Sequence, residues 1–196
     1  MSSADAVPSD RTPEVVVVRH GETEWSRSGR HTGRTDVPLT GEGRREAERL
    51  RERLAGRRFA RVLTSPLRRA SETATLAGFP AAEPCSDLVE WDYGRYEGLT
   101  THEIRGEAPG WTVFRDGVPG GESVEQVGTR ADRVIALALA AGGDVALFAH
   151  AHLLRILAAR WLGLDARDGR LLLLRTARIG VLGFERETRV VSGWGL

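Results

Sequence analysis

Four consecutive valines, at positions 15–18, are the feature that most constrains the fold of this chain. β-branched residues favour strands, and a run without alternating polar residues predicts a strand that is buried on both faces. A second, largely apolar stretch, residues 144–149, ends directly before His150, just as the valines are followed by Arg19 and His20. Strands buried on both faces need helices on either side, so the sequence predicts an α/β fold.

Helical patterns alternate with these strands along the chain. Small and apolar residues recur at spacings of three and four over residues 41–55, which predicts an amphipathic helix, and Thr40 precedes it as a candidate N-cap. Ser65 and Pro66 are the residue types that begin helices, as cap and first helical residue. That helix is predicted over 66–77, and the remaining elements are helices predicted over 123–138 and 152–162 and strands predicted over 61–65, 171–174, 179–184 and 189–191.

This alternation predicts a three-layer α/β/α sandwich with a mostly parallel central sheet. Residues 21–40 hold several glycines among polar residues and are predicted as a loop, whereas residues 80–121 are rich in glycine, proline and aromatic residues and show little periodicity. The length of 196 residues fits one domain. We expect that domain to span residues 14–196, after a flexible tail over residues 1–13 that lacks the pattern of a signal peptide.

The charge balance and the cysteine content exclude several classes of protein. The chain has 28 basic and 27 acidic residues, and this near-neutrality predicts neither a nucleic-acid partner nor a membrane surface. Cys85 is the single cysteine, so neither an intrachain disulfide nor a multi-cysteine zinc site is expected. We expect a cytoplasmic protein.

Candidate functional residues lie where the two buried strands end. Ligands of open α/β sheets bind at the carboxyl ends of the strands, where Arg19, His20 and His150 are found. Arg69 lies near the start of the helix that follows residue 66, and helix N-termini favour anions. Two arginines and two histidines at one rim offer several hydrogen-bond donors to a tetrahedral dianion. Taken alone, Arg69 is better explained by a salt bridge with Glu72 or as a solvated helix residue.

Glu90 is the candidate general acid. It lies between Val89 and Trp91, whose apolar side chains exclude water from a carboxyl group. Asp92 and Glu97 are rival carboxyl groups in the same stretch. The alternative is that this aromatic stretch only forms a lid over the core.

These residues together resemble the motifs of the histidine phosphatase superfamily, the phosphoglycerate mutase-like proteins. The stretch Arg19-His-Gly-Glu-Thr-Glu-Trp25 is similar to the signature of that family. The resemblance extends in order, at family-like spacing, from residue 15 to about residue 160, and it is strongest for a branch of acid and sugar phosphatases. The other matching stretches are His31 to Gly41, Ser65 to Ala74, Leu88 to Gly94 with Glu97-Gly98, Gly120 to Ser123, and Ala149-His150.

The resemblance implies a catalytic role for five residues. His20 would be the nucleophile that becomes phosphohistidine. Glu90 would donate a proton to the leaving oxygen and would then activate water as a base. Arg19, Arg69 and His150 would bind the phosphoryl group. Because these donors supply the positive charge that a metal ion supplies in other phosphatases, the resemblance implies no cofactor and no metal.

Further residues of the substrate pocket also follow from the resemblance. Ser26, Thr32 and Gly33 match positions on the substrate side of the pocket. Ser26 stands where the family often has asparagine, and its side chain is a shorter donor. Ala151 and His152 follow the second histidine, where the family usually has glycine. His152 is therefore a candidate for an additional substrate contact.

The expected function is metal-independent hydrolysis of phosphomonoesters of small metabolites, such as sugar phosphates, through a phosphohistidine. Phosphoglycerate mutase-type phosphoryl transfer is the alternative. Hydrolysis is favoured because the stretch between Glu90 and Ser123 is short, which leaves little chain to shield the phosphoenzyme from water. The expected partner is a small phosphorylated metabolite, and a homodimer is compatible with the sequence. The side chains expected to cover the pocket are His102, Trp111, Phe114 and Arg115.

Two interpretations from other classes stay open at this point. His150 and His152 have a spacing common among metal ligands, and His20, Asp92 or Glu90 would complete the site of a metallohydrolase. A non-catalytic phosphate-binding protein is the other interpretation. It is disfavoured because a protein that only binds phosphate does not need an acid beside a histidine.

Overall fold

The computed structural model of the chain describes residues 12–196. The tail predicted over residues 1–13 therefore lies almost entirely outside the described residues. The single domain expected over residues 14–196 remains a prediction. Across the described part of the chain, no helix combines the length and the apolar composition needed to cross a membrane.

Six strands within residues 12–196 form one central sheet: β1 Val15–Arg19, β2 Arg61–Thr64, β3 Glu83–Pro84, β4 Val145–Ala149, β5 Ile179–Glu185 and β6 Thr188–Trp194. Their spatial order is β3-β2-β4-β1-β5-β6. Neighbours from β3 to β1 pair in parallel, whereas β5 is antiparallel to both β1 and β6. The prediction of a mostly parallel sheet is confirmed.

Two of the three helix starts that the sequence indicated, at Thr40 and Ser123, are confirmed. The described helices are α1 Glu24–Ser28, α2 Gly41–Leu54, α3 Arg68–Leu76, α4 Thr101–Glu107, α5 Val113–Asp116, α6 Val124–Leu139 and α7 Ala151–Trp161. Thr40 caps α2 by accepting from the backbone N of Gly43 at 3.0 Å, and Ser123 caps α6. α3 begins two residues later than predicted, because Ser65 and Pro66 precede an extended Leu67, which is the N-cap.

The valines of β1 connect two apolar cores, one on each face of the sheet. Val15 and Val17 pack in the core that contains the apolar faces of α6 and α7. Val16 and Val18 pack in the opposite core, with leucines of α2 and alanines of α3. All four valines are at most 4% exposed. An unalternating apolar strand is therefore covered by helices on both faces, and the predicted three-layer α/β/α sandwich is confirmed.

Two predicted local structures are wrong. The strand predicted over residues 171–174 is not formed: a 3-10 helix spans Ala166–Leu171, and the carbonyl of Leu174 instead accepts a hydrogen bond from the Arg19 side chain. The predicted loop over residues 21–40 contains α1, because Thr23 and Ser26 form a reciprocal capping box. Both outcomes depend on hydrogen bonds that residue spacing does not show.

Two glycines bring the residues after β1 into close contact with the start of α2. A Cβ atom on Gly21 would lie 2.2 Å from the carbonyl oxygen of Gly43, and a Cβ atom on Gly43 would lie 2.1 Å from the carbonyl oxygen of Glu22. Both distances are well inside van der Waals contact. The backbone that follows the first histidine is thus packed directly against a helix backbone, which fixes its position.

We expect Gly43→Ala to destabilise the protein by about 2 kcal/mol or more, because the added methyl group forces the two backbones apart. Gly41→Ala is the matched control on the same helix, since a Cβ there meets only the end of Arg45 at 3.8 Å. In an open helical position alanine is favoured by up to about 1 kcal/mol over glycine. Urea unfolding curves of both variants measure the difference, and equal effects would contradict the packing argument.

Candidate active site

His20 directly follows β1, and its side chain is buried. Its Nδ1 atom lies 2.7 Å from the carbonyl oxygen of Gly21, which can only accept, so Nδ1 carries the proton and Nε2 keeps a lone pair. Burial, followed by the positive charges of Arg19 and Arg69, lowers the pKa of His20 well below 6.5. The ring is therefore neutral at neutral pH, which is the form in which an imidazole acts as a nucleophile.

His150 lies beside His20, with the two ring centroids 5.2 Å apart. The Nε atom of Arg69 donates to Nδ1 of His150 at 3.1 Å, so His150 carries its own proton on Nε2, which lies 2.8 Å from the hydroxyl of Ser65. Burial and the charge of Arg69 lower the pKa of His150 well below 6.5. The two histidines are thus neutral, and the fully buried Arg69 contributes a positive charge beside them.

The backbone of the residues after α1 surrounds the Arg69 guanidinium. The guanidinium donates to the carbonyl oxygens of Thr32, Gly33 and Thr35 at 3.2, 2.8 and 2.9 Å. Gly33 is buried, and a Cβ there would lie 2.6 Å from the carbonyl oxygen of Trp91. Two residues predicted on the substrate side therefore hold Arg69 through their carbonyl groups, and of the two only Thr32 lines the cavity.

Arg19 contributes a second positive charge. Its Nη1 atom donates to the carbonyl oxygen of Leu174 at 2.8 Å. Its Nε atom is buried and has no hydrogen-bond partner within residues 12–196. Arg19 lines the cavity, so its positive charge favours an oxyanion bound at this end of the sheet.

Three backbone N–H groups hold the Glu90 carboxyl group. Oε1 accepts from the backbone N of Trp91 and of Leu153, both at 2.9 Å, and Oε2 accepts from the backbone N of His152 at 3.0 Å. Two of these donors are in the first turn of α7, where N–H groups have no partner within the helix. Glu90 is therefore fixed at the helix end that follows His150, and its Oε2 atom has one N–H donor and a free side.

The two rival carboxyl groups are engaged elsewhere. Asp92 accepts from the guanidinium of Arg34 at 2.7 Å. Glu97 accepts from the backbone N of Gly33 at 2.9 Å, so it supports the backbone that surrounds Arg69. Of the three carboxyl groups that the sequence offered, Glu90 alone lines the cavity.

A partly buried ion pair that sequence reasoning missed, between Arg130 and Glu122, positions the segment around Glu90. Arg130 donates to the carbonyl oxygens of Asp87 and Val89 at 2.8 Å, and it binds the carboxylate of Glu122 through two nitrogens, each at 2.8 Å. Glu122 in turn accepts from the backbone N of Asp92 at 2.9 Å. Glu122 lies in the Gly-Gly-Glu-Ser stretch of the family pattern, which was the available signal, whereas no motif marked Arg130.

These side chains surround a small cavity of about 70 Å³ at the ends of β1 and β4, lined by Arg19, His20, Ser26, Arg30, His31, Thr32, Glu90, Tyr93, Ala151 and His152. Arg69 and His150 are fully buried next to it. Ser26 lines the cavity, but its hydroxyl bonds to the backbone N and O of Thr23 at 2.9 and 3.0 Å. Five of the eight predicted site residues therefore line one cavity together with the candidate His152, whereas Gly33, Arg69 and His150 lie behind its surface.

The aromatic residues expected to cover the pocket instead support its wall. Trp111 and Phe114 are buried, and their rings lie against the lining histidines at centroid distances of 5.3 and 5.2 Å. His102 and Arg115 are exposed and do not line the cavity. The prediction of a covering role thus fails for all four, because two pack behind the cavity and two point to solvent.

The ligand set of the metallohydrolase alternative is not assembled. Within residues 12–196, no three side chains of His, Cys, Asp or Glu are arranged to hold a metal ion. Both ring nitrogens of His150 are engaged by Arg69 and Ser65, and Nδ1 of His152 is engaged by the hydroxyl of Tyr93. The geometry gives no support to that alternative.

Comparison with known proteins identifies the family. The sequence profile described as the histidine phosphatase superfamily (branch 1) matches residues 15–196. The match covers all six strands and the whole cavity. The chain belongs to the histidine phosphatase superfamily, as its motifs predicted.

Individual relatives resemble the chain over most of its length. An acid phosphatase of Mycobacterium tuberculosis is 44% identical over 195 residues, covering 95% of this chain and 94% of the relative. A sedoheptulose 1,7-bisphosphatase of Saccharomyces cerevisiae is 40% identical, covering 80% and 70%. A probable phosphoglycerate mutase of Salmonella choleraesuis is 32% identical, covering 92% and 89%. A solved structure of a Mycobacterium tuberculosis protein superposes with a TM-score of 0.91 at 44% identity, covering 95% and 98%.

The buried histidines predict a steep loss of stability in acid. Burial lowers the pKa of His20, His150 and His152 well below 6.5 and that of His31 to about 4. In the unfolded chain each returns to about 6.5, so below that pH the unfolded state binds more protons than the folded state. The free energy of unfolding should therefore fall from pH 7.5 to 5.5, with a limiting slope of about 1.4 kcal/mol per pH unit for each histidine.

Urea unfolding at several pH values tests this expectation. His102→Gln alters an exposed histidine and should leave the slope unchanged. His152→Phe removes one buried histidine and should reduce the slope of the unfolding free energy against pH by the contribution of one histidine. A wild-type stability that stays constant down to pH 5.5 would show that these rings are not held neutral by the fold.

Proposed function

We propose that this protein is a phosphoric monoester hydrolase that acts on small phosphorylated metabolites through a phosphohistidine at His20. The observation that carries the proposal is a neutral His20, with Nε2 unprotonated, which lies near the charges of Arg19 and Arg69 and lines one cavity with the carboxyl group of Glu90. The names of the acid phosphatase and bisphosphatase relatives support hydrolysis. The short chain between Glu90 and Ser123 also supports it, because water can reach the phosphoenzyme.

In the first step, the Nε2 lone pair of His20 attacks phosphorus and the bond to the leaving oxygen breaks on the opposite side. Glu90 transfers a proton to that oxygen, so the alcohol leaves uncharged. The free side of Oε2 is where Glu90 carries this proton. Arg19 and Arg69 offset the negative charge on the three phosphoryl oxygens, which stabilises the transition state by fixed positive charge.

In the second step, water attacks the phosphohistidine and the phosphorus–nitrogen bond breaks. Glu90, now a carboxylate, takes a proton from that water and returns to its starting form. The lone pair returns to Nε2 of His20, and inorganic phosphate is released. The Glu122–Arg130 pair serves both steps by holding the backbone on either side of Glu90.

Transfer of the phosphoryl group to a second alcohol is the competing activity, since one relative is named a probable phosphoglycerate mutase. Hydrolysis and transfer are distinguished by supplying a phosphoglycerate and comparing the amount of free phosphate released with the amount of isomerised phosphoglycerate formed. Residence in the cytoplasm, a homodimeric state and the lack of a nucleic-acid partner remain predictions. Size-exclusion chromatography with light scattering tests the homodimer.

His20→Ala should lower turnover of p-nitrophenyl phosphate by at least about 10³-fold, because the nucleophile is removed. Rapid acid-free quenching of the wild type with ³²P-labelled substrate should trap a base-stable, acid-labile phosphoryl group on the protein. His102→Ala is the control, since it removes an exposed histidine outside the cavity. Normal turnover by His20→Ala would sink the phosphohistidine mechanism.

Glu90→Gln should separate substrates by their leaving groups. Glutamine has a similar shape but cannot donate a proton to an alkoxide, so the phosphorylation step should slow by about 10²-fold or more with alkyl phosphates. With p-nitrophenyl phosphate, whose leaving group departs unaided, the same step should slow much less. Because a glutamine side chain also cannot activate water, we expect a burst of p-nitrophenol followed by slow turnover. Equal slowing of the burst phase for both ester classes would show that Glu90 is not the acid.

A further inference from the structure

His152 is a lining residue whose ring takes no part in the two catalytic steps. Only its backbone N is used there, as a donor to Oε2 of Glu90. Because that oxygen carries the proton for the leaving group, the bond places the second residue of α7 next to the position of the leaving oxygen. His152 and Glu90 line the same cavity, so we place the His152 ring on the Glu90 side of it, where the leaving alcohol would lie.

The ring of His152 is held in one orientation. Its Nδ1 atom lies 2.5 Å from the hydroxyl of Tyr93, which is itself buried. Phe114 packs edge-on against the ring at 5.2 Å, Trp91 does so at 6.3 Å, and His31 stacks on it at 6.0 Å. A ring fixed by packing and by one hydrogen bond presents its remaining nitrogen in a defined direction.

The remaining nitrogen, Nε2, is a neutral hydrogen-bond donor. Burial and the charge of Arg155 lower the pKa of His152 well below 6.5, and burial raises the pKa of Tyr93 well above 10, so both groups are uncharged. A phenol O–H is a stronger acid than an imidazole N–H, so Tyr93 donates to Nδ1 and the ring proton resides on Nε2. Among residues 12–196 nothing accepts from Nε2, and it is not enclosed by protein.

We infer that His152 is a specificity-determining residue whose Nε2–H binds a hydroxyl group of the substrate alcohol, next to the ester oxygen. The inference rests on the proposed phosphatase function and names its substrate class: phosphomonoesters of polyols and sugars, in which the carbon adjacent to the ester carbon carries a hydroxyl. The cavity is far smaller than the roughly 300–1,000 Å³ of pockets that enclose a whole drug-sized ligand. Contacts within the first carbons of the alcohol therefore decide the preference.

A matched set of four esters tests the inference on the wild-type enzyme. Propyl phosphate, propane-1,2-diol 1-phosphate, propane-1,3-diol monophosphate and glycerol 1-phosphate have the same carbon chain and differ only in their hydroxyl groups. One hydrogen bond is expected to raise kcat/KM about tenfold for the two esters with a hydroxyl at the second carbon, relative to the other two. Equal kcat/KM for the 1,2-diol and propyl esters would overturn the inference.

His152→Phe tests which residue is responsible. Phenylalanine keeps an aromatic ring among Trp91, Phe114 and His31 but has no donor, so the ratio of kcat/KM for the 1,2-diol ester to that for the propyl ester should fall to about one. His152→Gln retains an N–H donor and should keep part of the ratio. A loss that is the same for both esters in His152→Phe would indicate a purely structural role and would overturn the inference.

The outcomes separate this inference from the proposed function. Hydrolysis of all four esters without preference removes the role of His152 and leaves the phosphatase intact. Failure of the wild type to release phosphate from any ester, including p-nitrophenyl phosphate, removes the proposed function and this inference with it. If circular dichroism shows that His152→Phe does not fold, the ratio is measured in His152→Gln instead, and a ratio unchanged from the wild type would overturn the inference.

Discussion

The register between β1 and β4 is the constraint on which the site depends. The two strands pair in parallel with Arg19 opposite Ala149, so both end at the same level of the sheet. The residue that follows each strand is a histidine, His20 after β1 and His150 after β4, and the two rings therefore lie side by side. A shift of one residue in either strand would move one histidine away from the rim and would turn its strand's apolar side chains to the wrong core.

The remaining parts of the site are attached to this pair through backbone groups. α7 begins directly after His150, and its first N–H groups hold Glu90. α3 brings in Arg69, whose guanidinium is surrounded by carbonyl groups and by Nδ1 of His150. Because backbone groups have fixed positions once the fold is formed, little reorganisation is needed when charge develops in the transition state.

The valine run made the sheet and its two helical layers predictable, because an apolar strand without alternation has to be covered on both sides. The candidate site positions were predictable because strand ends and a series of family motifs coincide at Arg19, His20 and His150. Arg130 was not, because its partners at residues 87, 89 and 122 are distant in sequence and are brought together only by packing of α6. The role of Gly33 was not predictable either, because Gly33 and Arg69 are also distant in sequence. Its motif position indicated contact with the substrate, whereas in the structure its carbonyl group accepts from Arg69.

The unpartnered Nε atom of Arg19 means that the fold alone leaves a hydrogen-bonding group unsatisfied in the site. The same guanidinium lines the cavity, and its positive charge would favour the product of phosphate release as well as the ester. Inorganic phosphate is thus both a competitor of the substrate and a ligand that favours the folded chain. The rate at which such an enzyme works in a cell would then follow the ratio of ester to free phosphate, and not the ester concentration alone.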